Sequence, residues 1–240
     1  MKLALSGYGK MGHEVEKVAV ARGHEVVITL DSPEEWEKND ELIRSCDILI
    51  DFSTPQSAAF AVNRCFDLGL PVVSGTTGWS DGLSKAIERS RTGNYAFFYA
   101  PNFSIGVNIF FQINRQLARL MNRQTGYSAD IHEIHHIHKL DAPSGTAIAL
   151  ATGIMEENEA YSEWSTGNNP EKGKLPVTSE RIGEVNGTHI VRWSSDTDDI
   201  EIKHTAHSRR GFALGAILAA EWLKGRKGFF GMADLLNSNH

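Results

Sequence analysis

Cysteine is nearly absent: the chain of 240 residues holds two, Cys46 and Cys65. Both sit in apolar segments, so buried free thiols are expected and no disulfide framework is available. That excludes the small stapled scaffolds of secreted proteins and suits a reducing compartment. Long hydrophobic runs are missing too. The longest, FALGAILAAEWL from Phe212 to Leu223, is twelve residues and carries a glutamate. A membrane-crossing helix needs about twenty apolar residues, so this segment reads as a core helix and no membrane partner is expected. The opening MKLALSGYGKMG reaches Ser6 and Gly7 too soon to hold a signal-peptide core, and a cytoplasmic location is expected. No stretch is strongly basic, and the net charge is −6; a nucleic-acid partner is therefore not expected. Internal repeats and low-complexity tracts are also lacking. What remains is an ordinary composition, 41% hydrophobic and 22% charged. The length suits one large domain or two modest ones, burying roughly 70% of the unfolded surface.

What is present alternates. KLALSG is a short strand that stops at glycine. MGHEVEKVAVARG places Met11, Val15, Val18 and Ala19 on one helical face, with Gly23 as its C-cap. HEVVITLD, CDILIDFS, PVVSGTTG and NYAFFYAPN are further strands, with helices over PQSAAFAVNRCFDLG and about residues 82–91. Strands separated by helices predict a parallel α/β sheet with right-handed crossovers. After Asn102 the rhythm changes. SIGVNIFFQINRQLARLMNR is one long amphipathic helix, YSADIHEIHH a strand, and GTAIALATGIMEEN a helix that opens on Gly145 and Thr146. Residues 159–176 form a polar loop long enough for a lid or an arm. SERIGEV, THIVRWSS and DIEIKHTAH alternate as short strands; Asn186-Gly187 signals a hairpin between the first pair and SDTD a second turn, which predicts an antiparallel meander. GFFGMADLL returns to helical character.

GYGKMG gives Gly7, Gly9 and Gly12 in G-x-G-x-x-G spacing, after a strand and opening a helix. Gly7 permits the tight turn, Gly9 lets the backbone approach a pyrophosphate, and Gly12 allows the helix to pack closely on the sheet. Free N–H groups at that helix end favour an anion by about 0.3–2 kcal/mol. Asp31, nineteen residues past Gly12, ends the second strand, where a carboxylate accepts hydrogen bonds from an adenine ribose. SGTTG, with Gly75, Thr76 and Thr77, ends the fourth strand. APNFS, with Ala100, Pro101, Asn102 and Phe103, ends the fifth, and Phe52 lies on the same rim. Each alone is ordinary turn chemistry. Three such loops at the carboxyl ends of parallel strands point to a nicotinamide site. The expected fold class is α/β: a Rossmann-type parallel-sheet, dinucleotide-binding domain over 1–104 and 210–240, plus an α+β domain with an open mixed sheet over 105–209.

EIHHIHKLDAPSGTA, residues 133–147, crowds three histidines, a lysine and two carboxylates together. Neighbouring strand residues face opposite ways, so His135 and His136 cannot share an ion while the strand continues, and Lys139 would repel one; no metal is expected. Proton transfer fits better. A continuing strand puts Glu133, His135 and Lys139 on one face. Histidine titrates near neutrality, and lysine supplies a fixed positive charge. The N–H groups of Gly145 and Thr146 are ready for a carboxylate. Cations beside a helix N-terminus imply a small substrate with more than one negative group. On spacing alone, a histidine-rich strand end with a capped helix behind it remains the alternative.

That segment resembles the motif of the dihydrodipicolinate reductase family, the 4-hydroxy-tetrahydrodipicolinate reductases of bacterial lysine and diaminopimelate synthesis. GYGKMG, DFSTP, SGTTG, APNFSIGVN, RIGEVNGTHIVRW, IEIKHTAHSRRGFALGA and GFFGMADLL follow in the family's order, from Leu3 to about Leu236. The resemblance implies hydride delivery from a reduced nicotinamide, NADH or NADPH, to a cyclic, unsaturated imine dicarboxylate. It implies that His135 is the general acid that protonates the substrate carbon and that Lys139 is its catalytic partner. It gives His136, Gly145 and Thr146 to the substrate, and Gly7, Tyr8, Gly9, Lys10, Met11, Gly12, Asp31, Gly75–Thr77 and Ala100–Phe103 to the cofactor. It also implies a homotetramer assembled through the second-domain sheets. Two departures stand out. The stretch from Asp31 to Cys46 is shorter than in many members, which predicts a reduced adenine pocket. SPEEWEK follows Asp31 with no arginine beside it, which favours NADH, or use of both cofactors. Another Rossmann-type dehydrogenase of amino-acid synthesis, acting on a semialdehyde, would need a catalytic thiol or a different Lys/Asp pair and would leave the His135–Lys139 cluster idle; a non-catalytic NAD-sensing regulator would need an effector segment.

Overall fold

Apolar strands that end at glycine, each followed by an amphipathic helix, set the first half of the chain. The computed structural model describes residues 1–167 and 171–238. In order come β1 (Lys2–Ser6), α1 (Lys10–Ala21), β2 (Glu25–Leu30), α2 (Pro33–Lys38), α3 (Asp40–Arg44), β3 (Ile48–Asp51), α4 (Pro55–Leu68), β4 (Val72–Ser74), α5 (Ser80–Gly93) and β5 (Ala96–Tyr99). Then follow α6 (Ile105–Met121), β6 (Ser128–His135), α7 (Gly145–Glu157), β7 (Glu163–Thr166), β8 (Lys174–Arg181), β9 (Thr188–Ser194) and β10 (Asp199–Thr205). The chain ends with α8 (Arg210–Leu223), β11 (Gly228–Phe230) and α9 (Met232–Asn237). It divides into two compact units, Met1–Ile105 with Arg209–His240, and Gly106–Ser208.

The first unit is a six-stranded parallel sheet in the order β11-β5-β4-β3-β1-β2. The chain steps from β1 to β2 on one side, then returns to β3 on the other. That reversal opens a crevice at the carboxyl ends of β1 and β3, where doubly wound sheets bind ligands. Both faces are covered. One apolar layer includes Val15, Val18, Ala216, Ile217 and Ala220; the other includes Ala58, Val62, Phe66 and Ala86. Cys46 and Cys65 are free and buried in the second layer. Three elements differ from the sequence reading: α2 and α3 fill a stretch where no helix is predicted, and Gly228–Phe230 is a strand, paired parallel to β5, and not the start of a helix. Three residues carry no readable period, and pairing with β5 decides their state.

The second unit holds a five-stranded mixed sheet in the order β10-β9-β6-β8-β7. β8 runs parallel to β6, and β9 antiparallel to both β6 and β10. The predicted meander is therefore wrong at Asn186-Gly187: β6 lies between β8 and β9, and no hairpin joins them. The cause is visible in the backbone. On leaving β8 the chain bonds to the end of β6, Ile182 N–H to the His135 carbonyl at 2.7 Å and Ile137 N–H to the Gly183 carbonyl at 3.1 Å. It thus crosses β6 instead of folding back. The SDTD turn does make a hairpin, between β9 and β10. Within 159–176, read as a polar loop, β7 pairs parallel to β8. Residues 168–170 of that segment lie outside the described residues. Along β6 burial alternates, and Ala129, Ile131, Glu133 and His135 are all buried. The apolar members of this face pack with Phe110 and Ala118 of α6 and Leu150 and Ile154 of α7. The chemistry of the unit thus begins where an apolar stripe turns polar.

Candidate active site

Glu133 and His135 are the last two inward positions of β6. The Glu133 carboxylate is wholly buried. It accepts the Ser144 N–H at 3.0 and 3.2 Å and the Ser179 hydroxyl at 2.8 Å, and Arg181 Nη2 stands 3.4 Å away. His135 Nδ1 and His189 Nε2 each lie 3.5 Å from Glu133 Oε2, and the two rings meet edge to face at 5.0 Å. Burial pushes the Glu133 carboxyl up, but hydrogen bonds from His189, Ser144 and Ser179 outweigh it and hold it well below the usual carboxylate range. Burial pushes His135 down to about 4. Glu133 opposes that shift, while His189, Lys139 and Arg181 add to it by repulsion. His135 is therefore neutral at neutral pH, and its buried Nδ1 has no hydrogen-bond partner among the described residues.

Lys139 does not join this face by strand period, because β6 stops at His135. A turn closed by Lys139 N–H on the His136 carbonyl brings it round, and its ammonium pairs with Asp141 at 2.7 Å. Arg181 braces the turn, donating to the Lys139 and Asp141 carbonyls at 3.3 and 2.5 Å. His136 has a buried Nδ1 without a hydrogen-bond partner among the described residues. His138 is mostly exposed beside Glu184 and reads as solvated surface. Ser144 caps α7 by accepting the Ala147 N–H at 3.2 Å and meets His189 Nε2 at 3.1 Å. Gly145 and Thr146, in the first turn, have N–H groups with no acceptor inside the helix. Ser144, Ser179, Arg181 and His189 were absent from the sequence reading. His189 did carry a signal: it shares the inward face of its strand with Val191 and Trp193, where a polar residue is out of place.

In the first unit Gly7 has φ +83°, and an added Cβ would strike the Phe52 carbonyl; one on Gly12 would strike the Gly7 carbonyl. Gly9 faces open space and α1 has no side-chain cap, so its first-turn N–H groups stay available to a phosphate. These residues fit a dinucleotide. Asp31 accepts the Tyr8 N–H through one carboxylate oxygen at 2.7 Å. The Tyr8 hydroxyl bonds Glu16, Lys10 is exposed, and Met11 is half-buried against the core. Thr76 is buried with its hydroxyl turned inward, while Thr77 faces out. Ala100 and Phe103 are core side chains, so they can offer a ligand only backbone; Pro101 is exposed and Asn102 half-buried. No helix among the described residues is long and apolar enough to cross a membrane.

Two family models cover the chain: “Dihydrodipicolinate reductase, N-terminus” over residues 1–103 and “Dihydrodipicolinate reductase, C-terminus” over 106–236. A 4-hydroxy-tetrahydrodipicolinate reductase of Christiangramia forsetii is 46% identical over 99% of this chain and 98% of its own. One from Archaeoglobus fulgidus is 35% identical over 98% of this chain and all of its own. Among solved structures, dipicolinate-bound dihydrodipicolinate reductase from Paenisporosarcina sp. TG-14 superposes with a TM-score of 0.82 at 22% identity, covering 98% of each chain; at that identity it supports the fold alone. Cys46 and Cys65 are buried, and burial pushes both thiols up, away from an activated thiolate. From both halves of its sequence, the chain belongs to the dihydrodipicolinate reductase family of NAD(P)H-dependent oxidoreductases.

Proposed function

We propose that the second unit binds the cyclic imine dicarboxylate 4-hydroxy-tetrahydrodipicolinate, or its dehydrated form, and that His135 protonates the carbon that completes reduction to tetrahydrodipicolinate. The observation that carries this is the buried His135–Glu133 pair, 3.5 Å apart, beside the Lys139 turn and the open first turn of α7. Gly145 and Thr146 N–H groups hold one carboxylate; Lys139, with His136, meets the second. A reduced nicotinamide supplies the hydride. Glu133, 3.5 Å from the His135 ring, favours its charged form. A dianion entering this site adds negative charge next to a neutral imidazole and raises its proton affinity. His135 then takes up a proton with the substrate and gives it to the enamine carbon.

Glu133, His135 and His189 also stand at metal-ligand spacing, with donor atoms within 4.8 Å of one another. We assign the cluster to protons. The carboxylate already receives Ser144 and Ser179 and faces the Arg181 guanidinium, and a further cation there would meet both Arg181 and Lys139.

Gly7, Gly9 and Gly12 would receive the cofactor's pyrophosphate and Asp31 its adenine ribose; the loops at Gly75–Thr77 and Ala100–Phe103 would flank the nicotinamide half. NADH is the favoured cofactor. The Glu35 carboxylate takes the Asp31 and Ser32 N–H groups at 2.6 and 2.9 Å, so Asp31 and Glu35 together would repel a 2′-phosphate. A homotetramer in the cytoplasm, assembled through the second sheet, completes this reading. The face opposite His135 carries a groove of about 690 Å³ lined by Asp130, His132, Ile190 and Arg192, not by helices. The deciding assay uses freshly made 4-hydroxy-tetrahydrodipicolinate with each cofactor in turn. Turnover with a higher kcat/KM for NADH is expected, and no turnover with either would end the reading.

A further inference from the structure

We propose that Asp51 is a positioning residue for the cofactor: its buried carboxylate knots the loops after β3 and β4 into the shape that receives the nucleotide. This rests on the cofactor reading above. Asp51 ends β3, the central strand beside the sheet's reversal point, and is fully buried. Oδ1 accepts the Ser53 hydroxyl at 2.6 Å and the Ser53 N–H at 3.2 Å; Oδ2 accepts the Ser74 hydroxyl at 2.7 Å and the Thr76 hydroxyl at 2.9 Å. All four donors are neutral, and all four belong to the two loops or the strand end between them. Burying a carboxylate is costly unless its lone pairs are filled. Here they are filled by the groups whose positions matter at the rim.

The consequences run outward from that knot. Thr76 spends its hydroxyl on Asp51 and its carbonyl on the Trp79 indole N–H at 2.6 Å, so residue 76 is held from both sides while Thr77 is turned out. The Gly75 N–H bonds the Asp51 carbonyl at 2.9 Å. A Cβ on Gly75 would collide with the Phe52 ring, and one on Gly7 with the Phe52 backbone. Phe52 is thus wedged between the phosphate loop and the β4 loop, one residue after Asp51. A carboxylate at 51 fixes both neighbours of that wedge. An apolar side chain there would fill the space and free the loops.

The test compares Asp51→Asn, Asp51→Ala, Thr76→Val and the double variant Asp51→Asn/Thr76→Val with wild type. Three quantities are read: melting temperature, NADH affinity from quenching of tryptophan emission, and calorimetric affinity of the cofactor-free protein for pyridine-2,6-dicarboxylate. The expected result is an NADH Kd raised about tenfold in Asp51→Asn, and more in Asp51→Ala. Thr76→Val should give a smaller rise, not additive with Asp51→Asn. KM for NADH should follow, with dicarboxylate affinity unchanged. A lower melting temperature with unchanged NADH affinity would make Asp51 a residue of the fold alone and overturn the proposal, as would parallel loss of dicarboxylate binding. If the Asp51 variants do not fold, Thr76→Val, which leaves three donors on the carboxylate, decides the matter. Wild-type protein that binds no NADH would sink the cofactor reading; normal binding with indifferent variants would sink this proposal alone.

Discussion

At the residue scale, the histidine pushed down to about 4 is the point on which the chemistry turns. A neutral imidazole is a poor acid at neutral pH, so the proposed mechanism requires His135 to gain its proton with the substrate. Pyridine-2,6-dicarboxylate binding at pH 7 should therefore take up protons. Calorimetry in two buffers of different ionisation enthalpy would show a difference in apparent enthalpy, and His135→Ala should remove most of it. The same variant should lower kcat by roughly 10²–10⁴, the range for losing one general acid, while NADH affinity holds. Wild-type turnover in His135→Ala would take this residue out of the mechanism. Lys139→Ala should weaken the dicarboxylate by about tenfold. Its ammonium is paired with the exposed Asp141, a bond that a bound carboxylate can replace. An unchanged inhibition constant would place Lys139 outside the substrate's reach.

At the scale of elements, the Lys139 turn is held by two strands and the start of a helix. Arg181 of β8 ties the Lys139 and Asp141 carbonyls to buried Glu133, and Ser144 joins α7 to the same carboxylate. Arg181→Met keeps the stem and removes the guanidinium. It should cost about 3 kcal/mol, because Glu133 is left buried with one partner fewer, and it should raise the dicarboxylate Kd. Urea titration followed by tryptophan emission measures the first and calorimetry the second; no change in either would show that the brace is dispensable. Much of this scaffold was legible beforehand. Local periods gave the parallel strands, α6, α7 and the Gly7–Gly12 turn, because each repeats within a few residues. The β8–β9 hairpin misled, because Asn186-Gly187 states only that the chain turns, and the pairing of β6 between them is a long-range event. Arg181 and His189 were out of reach for the same reason: their register against Glu133 exists only in the assembled sheet. Lys139 was placed on the face of Glu133 and His135 by assuming a strand that stops four residues short of it.

At the scale of the molecule, the buried cluster makes stability depend on pH in a direction that can be worked out. His135 falls from an ordinary 6.5 to about 4 in the folded chain. Between those values the unfolded chain binds the proton and the folded chain does not, so stability rises with pH across that window. Glu133, held below its ordinary 4.5, adds a loss of the same sign further into acid. Melting temperature should thus be level near pH 7 and fall as pH drops through 6.5 towards 4. The fall should be shallower in His135→Gln, which has no proton to take up in that range. Bound pyridine-2,6-dicarboxylate should oppose the fall, since it favours the charged imidazole that acid would otherwise force on an empty site. Thermal melts at pH 7, 6, 5 and 4, with and without the ligand, read all three effects. A wild-type profile matching that of His135→Gln would mean that the imidazole titrates in the fold as it does in the unfolded chain, and that no proton uptake coupled to ligand binding is needed to charge it.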